Sequence, residues 1–275
     1  MLGHNLVLSD DEFKRIRQVV YDLSRIDLHS GKKVLVQTRL SKRIRSLGLS
    51  SFGEYLKCVE NDMSGKELCA MVDCLTTNLT RFFREKAHFD YLKESLVCLK
   101  PENLDRLRIW SAGCSSGEEP YSIAMILRDL WSEIDKMDVR ILATDISSNM
   151  IRSARHGTYS LDRLKHVPFE LRQKYFKKVH TGRGEKYQIK SEASKLITFR
   201  RHNLAGPWPM KGPFQVILCR NVMIYFDREA QKQLVSRFYN ILAPEGLLIV
   251  GHSEGLAGLG HSFKHVRPSI YMKPK

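Results

Sequence analysis

Residues 108–124 read RIWSAGCSSGEEPYSIA, and this stretch narrows the possible folds more than any other. An apolar, β-prone entry (Leu107, Ile109, Trp110) runs into a turn of small residues, Ser111 to Gly117. Glu118, Glu119 and Pro120 follow, then an apolar-periodic run from Tyr121 to Leu130. Strand, tight loop and helix start in that order form the βα turn of nucleotide-binding folds. Glycine lets the backbone approach a ligand, and proline is preorganised for a first helical turn. The two acids set this turn apart from a phosphate loop, which favours positive ends. Carboxylates there suit ribose hydroxyls or a cationic ligand. Such a turn can also be a plain tight connection, so the neighbouring segments decide.

With 275 residues, 43% of them hydrophobic, the chain can bury a sizeable core and is expected to form two domains. It contains no run of eighteen apolar residues, so no membrane insertion is expected. The N-terminal MLGHNLVLSDDEF lacks a basic region followed by an apolar core, which argues against secretion. Cys58, Cys69, Cys74, Cys98, Cys114 and Cys219 are scattered without a CxxC pair. Reduced thiols in a cytoplasm are therefore expected, and no metal site. The net charge of +15 implies an acidic partner: nucleic acid, an anionic membrane or an acidic protein surface.

The first hundred residues read as a small all-α module over 1–75, with 76–100 as a linker. Ser9 and Glu12 form a capping box ahead of Phe13, Ile16, Val19, Val20 and Leu23 at helical spacing. A second helix is expected from Lys33 to Leu47, with Val36, Leu40, Ile44 and Leu47 facing inward. Ser51 with Glu54 and Ser64 with Glu67 mark two further capping boxes. The second helix carries Arg39, Lys42, Arg43 and Arg45 and no acid. Arg39, Lys42 and Arg43 at i, i+3 and i+4 are expected on one exposed face. A solvated face is one reading, and a docking surface for an acidic partner is the preferred one. Base-stacking aromatics are missing, which counts against single-stranded nucleic acid. The stretch TTNLTRFFRE, 76–85, reads as a loop in which Asn78 or Thr80 could simply cap a helix.

Beyond residue 101, strands alternate with helices, as in a doubly wound sheet with its ligand at the strands' carboxyl ends. Val139 to Asp145 is a short strand ending in an acid, placed to accept ribose hydroxyls or to cap the next helix. Residues 160–202 read as an inserted antiparallel β subdomain, with a glycine turn at Thr181-Gly182-Arg183-Gly184 and a further strand at Leu196–Arg201. Phe214–Cys219, Leu247–Gly251 and Ile270–Met272 are further expected strands. The 111–118 turn, Asp145, Asn203 and Arg220-Asn221 all follow expected strands and would converge on one crevice.

Together, TTNLTRFFRE (76–85), WSAGCSSGEEPYSIA (110–124), ATDIS (143–147), CRNVMIYFD (219–227) and GHSEGL (251–256) resemble the CheR-type chemoreceptor glutamate methyltransferases. These belong to the class I S-adenosylmethionine-dependent methyltransferases. The resemblance implies an α/β fold: an all-α N-terminal domain and a Rossmann-like methyltransferase domain, 101–275, with a β insertion. It implies that Asn78, Thr80 and Arg84 reach over the cofactor, with Arg84 near the reacting centre. Ala112, Gly113 and Glu118 would form the cofactor turn, with Glu118 the foremost candidate. Asp145 and Ile146 would hold ribose and adenine, Asn203 and Leu204 would flank the adenine, and Arg220 and Asn221 would line the methionine end. Tyr225 would orient the substrate carboxylate. The basic helix would face the acidic methylation helices of chemoreceptors, and a receptor's C-terminal peptide could dock on the β subdomain.

The chemistry agrees with what is absent. A glutamate is already ionised near neutral pH and attacks a sulfonium methyl without a general base. No catalytic cysteine, metal cluster or triad is needed. Arg220-Asn221-Val222-Met223 stands where methyltransferases acting on amide or base nitrogens carry an Asn/Asp-Pro-Pro-Tyr turn, which disfavours that class. Two alternatives are an RNA methyltransferase of the same fold, resting on net charge alone, and a non-catalytic basic adaptor for acidic helices.

Overall fold

A computed structural model describes residues 6–97, 106–182 and 184–275; Cys98, Arg183 and the expected boundary near residue 100 lie outside them. The helical domain comprises α1 (Asp10–Ser24), α2 (Lys33–Ser46), α3 (Phe52–Asn61) and α4 (Lys66–Leu75). Its core is the stripe that the helical period predicts: Phe13, Ile16 and Val20 against Val36, Leu40, Ile44, Tyr55 and Leu56. The Ser9–Glu12 capping box forms with both of its bonds. Leu47 departs from expectation: it follows the helix end and is 38% exposed.

The two other expected capping boxes are corrected. Ser51 Oγ accepts from Glu54 N, but the Glu54 carboxylate turns to Ser50. Ser64 does not cap α4, whose N-cap is Gly65 in the left-handed conformation (φ 64°). Asp62 accepts from Glu67 N at 2.6 Å instead, and the Glu67 side chain turns inward to Tyr55 and Arg43.

After α5 (Lys86–Val97) come β1 (Leu107–Ala112), α6 (Glu118–Leu130), β2 (Val139–Asp145) and α7 (Ser148–His156). A small antiparallel sheet is built from β3 (Thr158–Tyr159), β4 (Phe176–Thr181) and β5 (Gly184–Ile189), with α8 (Phe169–Tyr175) between them. Then follow α9 (Ser191–Ser194), β6 (Ile197–Arg201), β7 (Phe214–Cys219), α10 (Arg228–Ile241), β8 (Leu242–Val250), β9 (Lys264–Arg267) and β10 (Ile270–Met272).

The main sheet runs β6-β2-β1-β7-β8-β10-β9. Its strands are parallel from β6 to β8, and β10 pairs antiparallel with β8. Successive residues of β1 face opposite sides: Ile109 packs with α5 and α6, and Trp110 packs with Phe238 of α10. Both faces are thus covered by helices, and chain order reverses direction between β1 and β7. Strand β6 corrects one expectation. It is not part of the inserted subdomain but the edge of the main sheet, in register with β2 from Ile141–Ile197 to Asp145–Arg201.

The helical domain is fastened to the turn after β7. Ile26 forms an antiparallel bridge with Phe226, and Asp27 N donates to the Tyr225 carbonyl at 2.8 Å. Tyr21 Oη donates to Asp227 at 2.5 Å, and Asn203 Nδ2 donates to the Leu23 carbonyl at 2.6 Å.

Candidate active site

A cleft opens at the carboxyl ends of β1, β2 and β7, where the strand order reverses. Its floor begins with the turn after β1. Gly113 takes φ 93°, and Gly113 N and Cys114 N both donate to the Thr144 carbonyl at 2.8 Å, which closes the β1 turn onto β2. Ser115 N then donates to Asp145 Oδ2 at 2.8 Å, and Ser147 N donates to Oδ1 at 2.9 Å. The N-cap of α7 is Ser147, so Asp145 is not spent as a helix cap. Burial pushes its carboxyl above the usual range, against the pull of these amide bonds. A carboxylate has about four lone-pair sites, so Asp145 keeps acceptor capacity towards the cleft that it lines.

The structure brings together Asn78, Thr80, Arg84, Gly113, Asp145, Ile146, Asn203, Leu204, Arg220, Asn221 and Tyr225 around this cleft. Asn203 is shared with the domain contact through Leu23, and its Oδ1 accepts from Ala205 N at 3.0 Å. Arg84 Nη1 donates to the Leu79 carbonyl at 2.7 Å, folding the 76–85 loop over the opening. Tyr225 Oη reaches the Thr77 carbonyl at 3.4 Å, on the same rim.

Ala112 and Glu118 are not among the described residues that line the cleft. Ala112 is buried under the turn. Glu118, fully buried, pairs with Arg163 and accepts from Ser116 Oγ at 2.7 Å. Its neighbour Glu119 is the acid that faces the cleft. Glu119 accepts from Ser111 Oγ at 2.7 Å and from Arg220 Nη1 at 2.9 Å.

Arg220, with 2% of its side chain exposed, also pairs with Glu85 at 3.1 Å and donates to the Arg84 carbonyl. Its guanidinium stacks 5.1 Å from the Phe89 ring centre. One buried cation thus sits between two carboxylates. Burial raises the Glu85 carboxyl, but His88 and Arg220 outweigh it and hold the group well below the ordinary carboxylate range.

The turn after β7 depends on Glu254, a residue the expected site did not include. Its carboxylate accepts from Asn221 N at 2.6 Å, Gly251 N at 2.7 Å and Ile224 N at 3.1 Å. This holds Asn221 at φ 58° and sets where Arg220 and Tyr225 stand. The roof was equally unforeseen. Ser24, Ile26, Asp27, Leu28, Lys32 and Leu35 of the helical domain line the cleft, because the stretch after α1 is docked on Phe226.

The expected exposed stripe of α2 is corrected. Arg39 donates to the carbonyls of Leu75 (2.7 Å) and Thr76 (2.9 Å), tying α2 to the end of α4. Arg43 holds Glu67 through Nε (3.0 Å) and Nη2 (2.6 Å). Lys42 and Arg45 alone of the four are exposed.

Among the described residues, no helix is long and apolar enough to cross a membrane. Residues 11–76 match the all-alpha domain of CheR methyltransferases, and residues 78–272 match their SAM binding domain. A chemotaxis protein methyltransferase of Borreliella burgdorferi is 37% identical over 98% of this chain and 96% of its own length. A probable chemotaxis protein methyltransferase of Rhizobium etli is 41% identical over 92% of the chain and 94% of its own. One from Escherichia coli is 38% identical over the whole chain and 94% of its own length. With both of its domains matched in order, the chain belongs to the CheR methyltransferase family.

Proposed function

We propose that the protein transfers the methyl group of S-adenosylmethionine to glutamate side chains of chemoreceptors, giving methyl esters and S-adenosylhomocysteine. The observation that carries this reading is the cleft at the strand-order reversal, with Asp145 on one side and the Arg84–Tyr225 rim on the other. The residues fit the cofactor. Asp145 offers spare acceptor sites to ribose hydroxyls, and Ile146 and Leu204 offer apolar walls to adenine. Glu119 and Arg220 give the methionine end acid and base together. When bound, the cofactor supplies an electrophilic methyl on a sulfonium.

The chain's own part is to bind, align and dry. Arg84 and Tyr225 receive the incoming carboxylate, which needs no deprotonation. Asn78 and Thr80 close over the cofactor from the covering loop, and roof and loop exclude water while charge is neutralised. Gly113 and Asn221 complete the wall, and Ala112 supports it from beneath. Glu118 braces the cofactor turn from within through Arg163 and Ser116. Lys42 and Arg45 of α2 face the acidic receptor helices, and the β4–β5 hairpin is the place for a receptor's C-terminal peptide.

The test is transfer of labelled methyl groups to membranes with and without chemoreceptors. Base-labile label on receptor is expected; base-stable label on RNA, or none, would sink the reading. Arg84→Ala is expected to abolish transfer with the fold intact, and retained turnover would remove Arg84 from the mechanism.

A further inference from the structure

His88, in α5, is 1% exposed, yet neither ring nitrogen has a hydrogen-bond partner among the described residues. Buried polar groups are nearly always partnered, so an orphaned imidazole calls for an explanation. Its Nδ1 lies 3.2 Å from Glu85 Oε2, close enough for an ion pair but misaligned for a hydrogen bond. On the other side the exposed ring of His252 meets it edge-on, with ring centres 4.8 Å apart. One ligand atom from each of Glu85, His88 and His252 lies within 4.8 Å of the others.

We propose that Glu85, His88 and His252 bind a divalent transition-metal ion of the zinc type, at a site behind the cleft wall. Two imidazoles and one carboxylate form a donor set that such ions take. Ligands 3.2 Å apart suit one ion bonded to each at about 2.1 Å, subtending roughly 100° at the metal. His252 supplies both the adjustment and the path of entry from solvent. Arg220 beside Glu85 disfavours a second cation, but Glu119 on its far side offsets that charge. The bound ion clips the segment covering the cleft, which ends at Glu85, to the chain leaving β8.

The test uses the full chain without a histidine tag, stripped by chelator and titrated calorimetrically with Zn²⁺ alone. One equivalent is expected to bind. His252→Ala should weaken it at least about tenfold, the low end of the loss when even a supporting group of a metal site is removed. The exposed His166→Ala should bind as the parent does. No binding, or equal binding to His252→Ala, overturns the site. Because removing the buried His88 could compromise folding, Co²⁺ absorption gives a second readout. A histidine-ligated visible spectrum present in the parent and lost in His252→Ala, with unchanged circular dichroism, supports the site. The spectrum of free aqueous Co²⁺ in the parent overturns it.

Discussion

The arginines of α2 and the arginine of the cleft are put to different uses. Arg43 clamps Glu67 with a third of its side chain still in water, and the pair cements two helices. Arg220 lies at 2% exposure between Glu85 and Glu119, where each carboxylate is needed to keep the charge tolerable. A pair whose arginine keeps a third of its side chain in water can lose a partner at a lower cost. A dry network cannot, and it therefore holds the cleft wall rigid.

Glu119→Ala should break this comparison hardest. It is expected to cost about 3 kcal/mol in denaturant unfolding, the low end for a broken buried pair, because Glu85 still faces Arg220. A loss below that of Arg43→Met would mean the network is wetter than its burial indicates. Next comes Glu254→Ala, which strips three amides of their acceptor and should cost about 2 kcal/mol. Here kcat should fall far more than the KM for S-adenosylmethionine rises, with Glu254→Gln intermediate; equal effects on both would reduce Glu254 to a general stabiliser.

Arg43→Met should cost about 1 kcal/mol, since solvent already screens part of the pair. Its clearer signature is in pH. Burial raises the Glu67 carboxyl, but Arg43 and Tyr55 outweigh it and hold the group below its ordinary 4.5. The folded chain therefore binds that proton less tightly than the unfolded chain, so the pair stabilises above 4.5 and is lost as pH falls below it. In Arg43→Met this acid loss should vanish or reverse, and an unchanged acid limb would exclude Glu67. The smallest change in stability, within about 0.5 kcal/mol, belongs to Lys42→Glu with Arg45→Glu. Receptor methylation should nevertheless weaken and do so in a salt-dependent manner. Unaltered turnover would make this face a solvated one.

What could be read in advance was local. The strand–turn–helix at 107–130, the acid ending β2 and the apolar stripes of α1 and α2 follow from short-range pattern and propensity. What could not be read depends on docking between remote segments. Glu119 meets Arg220 across 101 residues, and the cleft's roof exists only because Ile26 finds Phe226. The choice between Glu118 and Glu119 is a matter of helix phase: neighbours on a helix point roughly 100° apart, and only packing tells which one meets the cleft. Ser64 failed as a cap for a similar reason. Asp62, two residues earlier, reached the amide first and freed Glu67 for Arg43. Strand β6 was legible as a strand but not as an edge of the main sheet, since pairing partners leave no mark on a five-residue sequence.

The cradle at Glu254 has a kinetic consequence. The amides of Asn221 and Ile224 belong to an irregular stretch between β7 and α10, where backbone hydrogens normally trade with solvent in brief local openings. Here they end on a carboxylate that is itself 5% exposed and shared with Gly251 at the end of β8. Freeing one amide means unseating the whole cradle, so these loop protons should persist in deuterated water nearly as long as those of the adjoining strand. The turn after β7 would then behave as an extension of the sheet, holding its shape before any ligand enters the cleft.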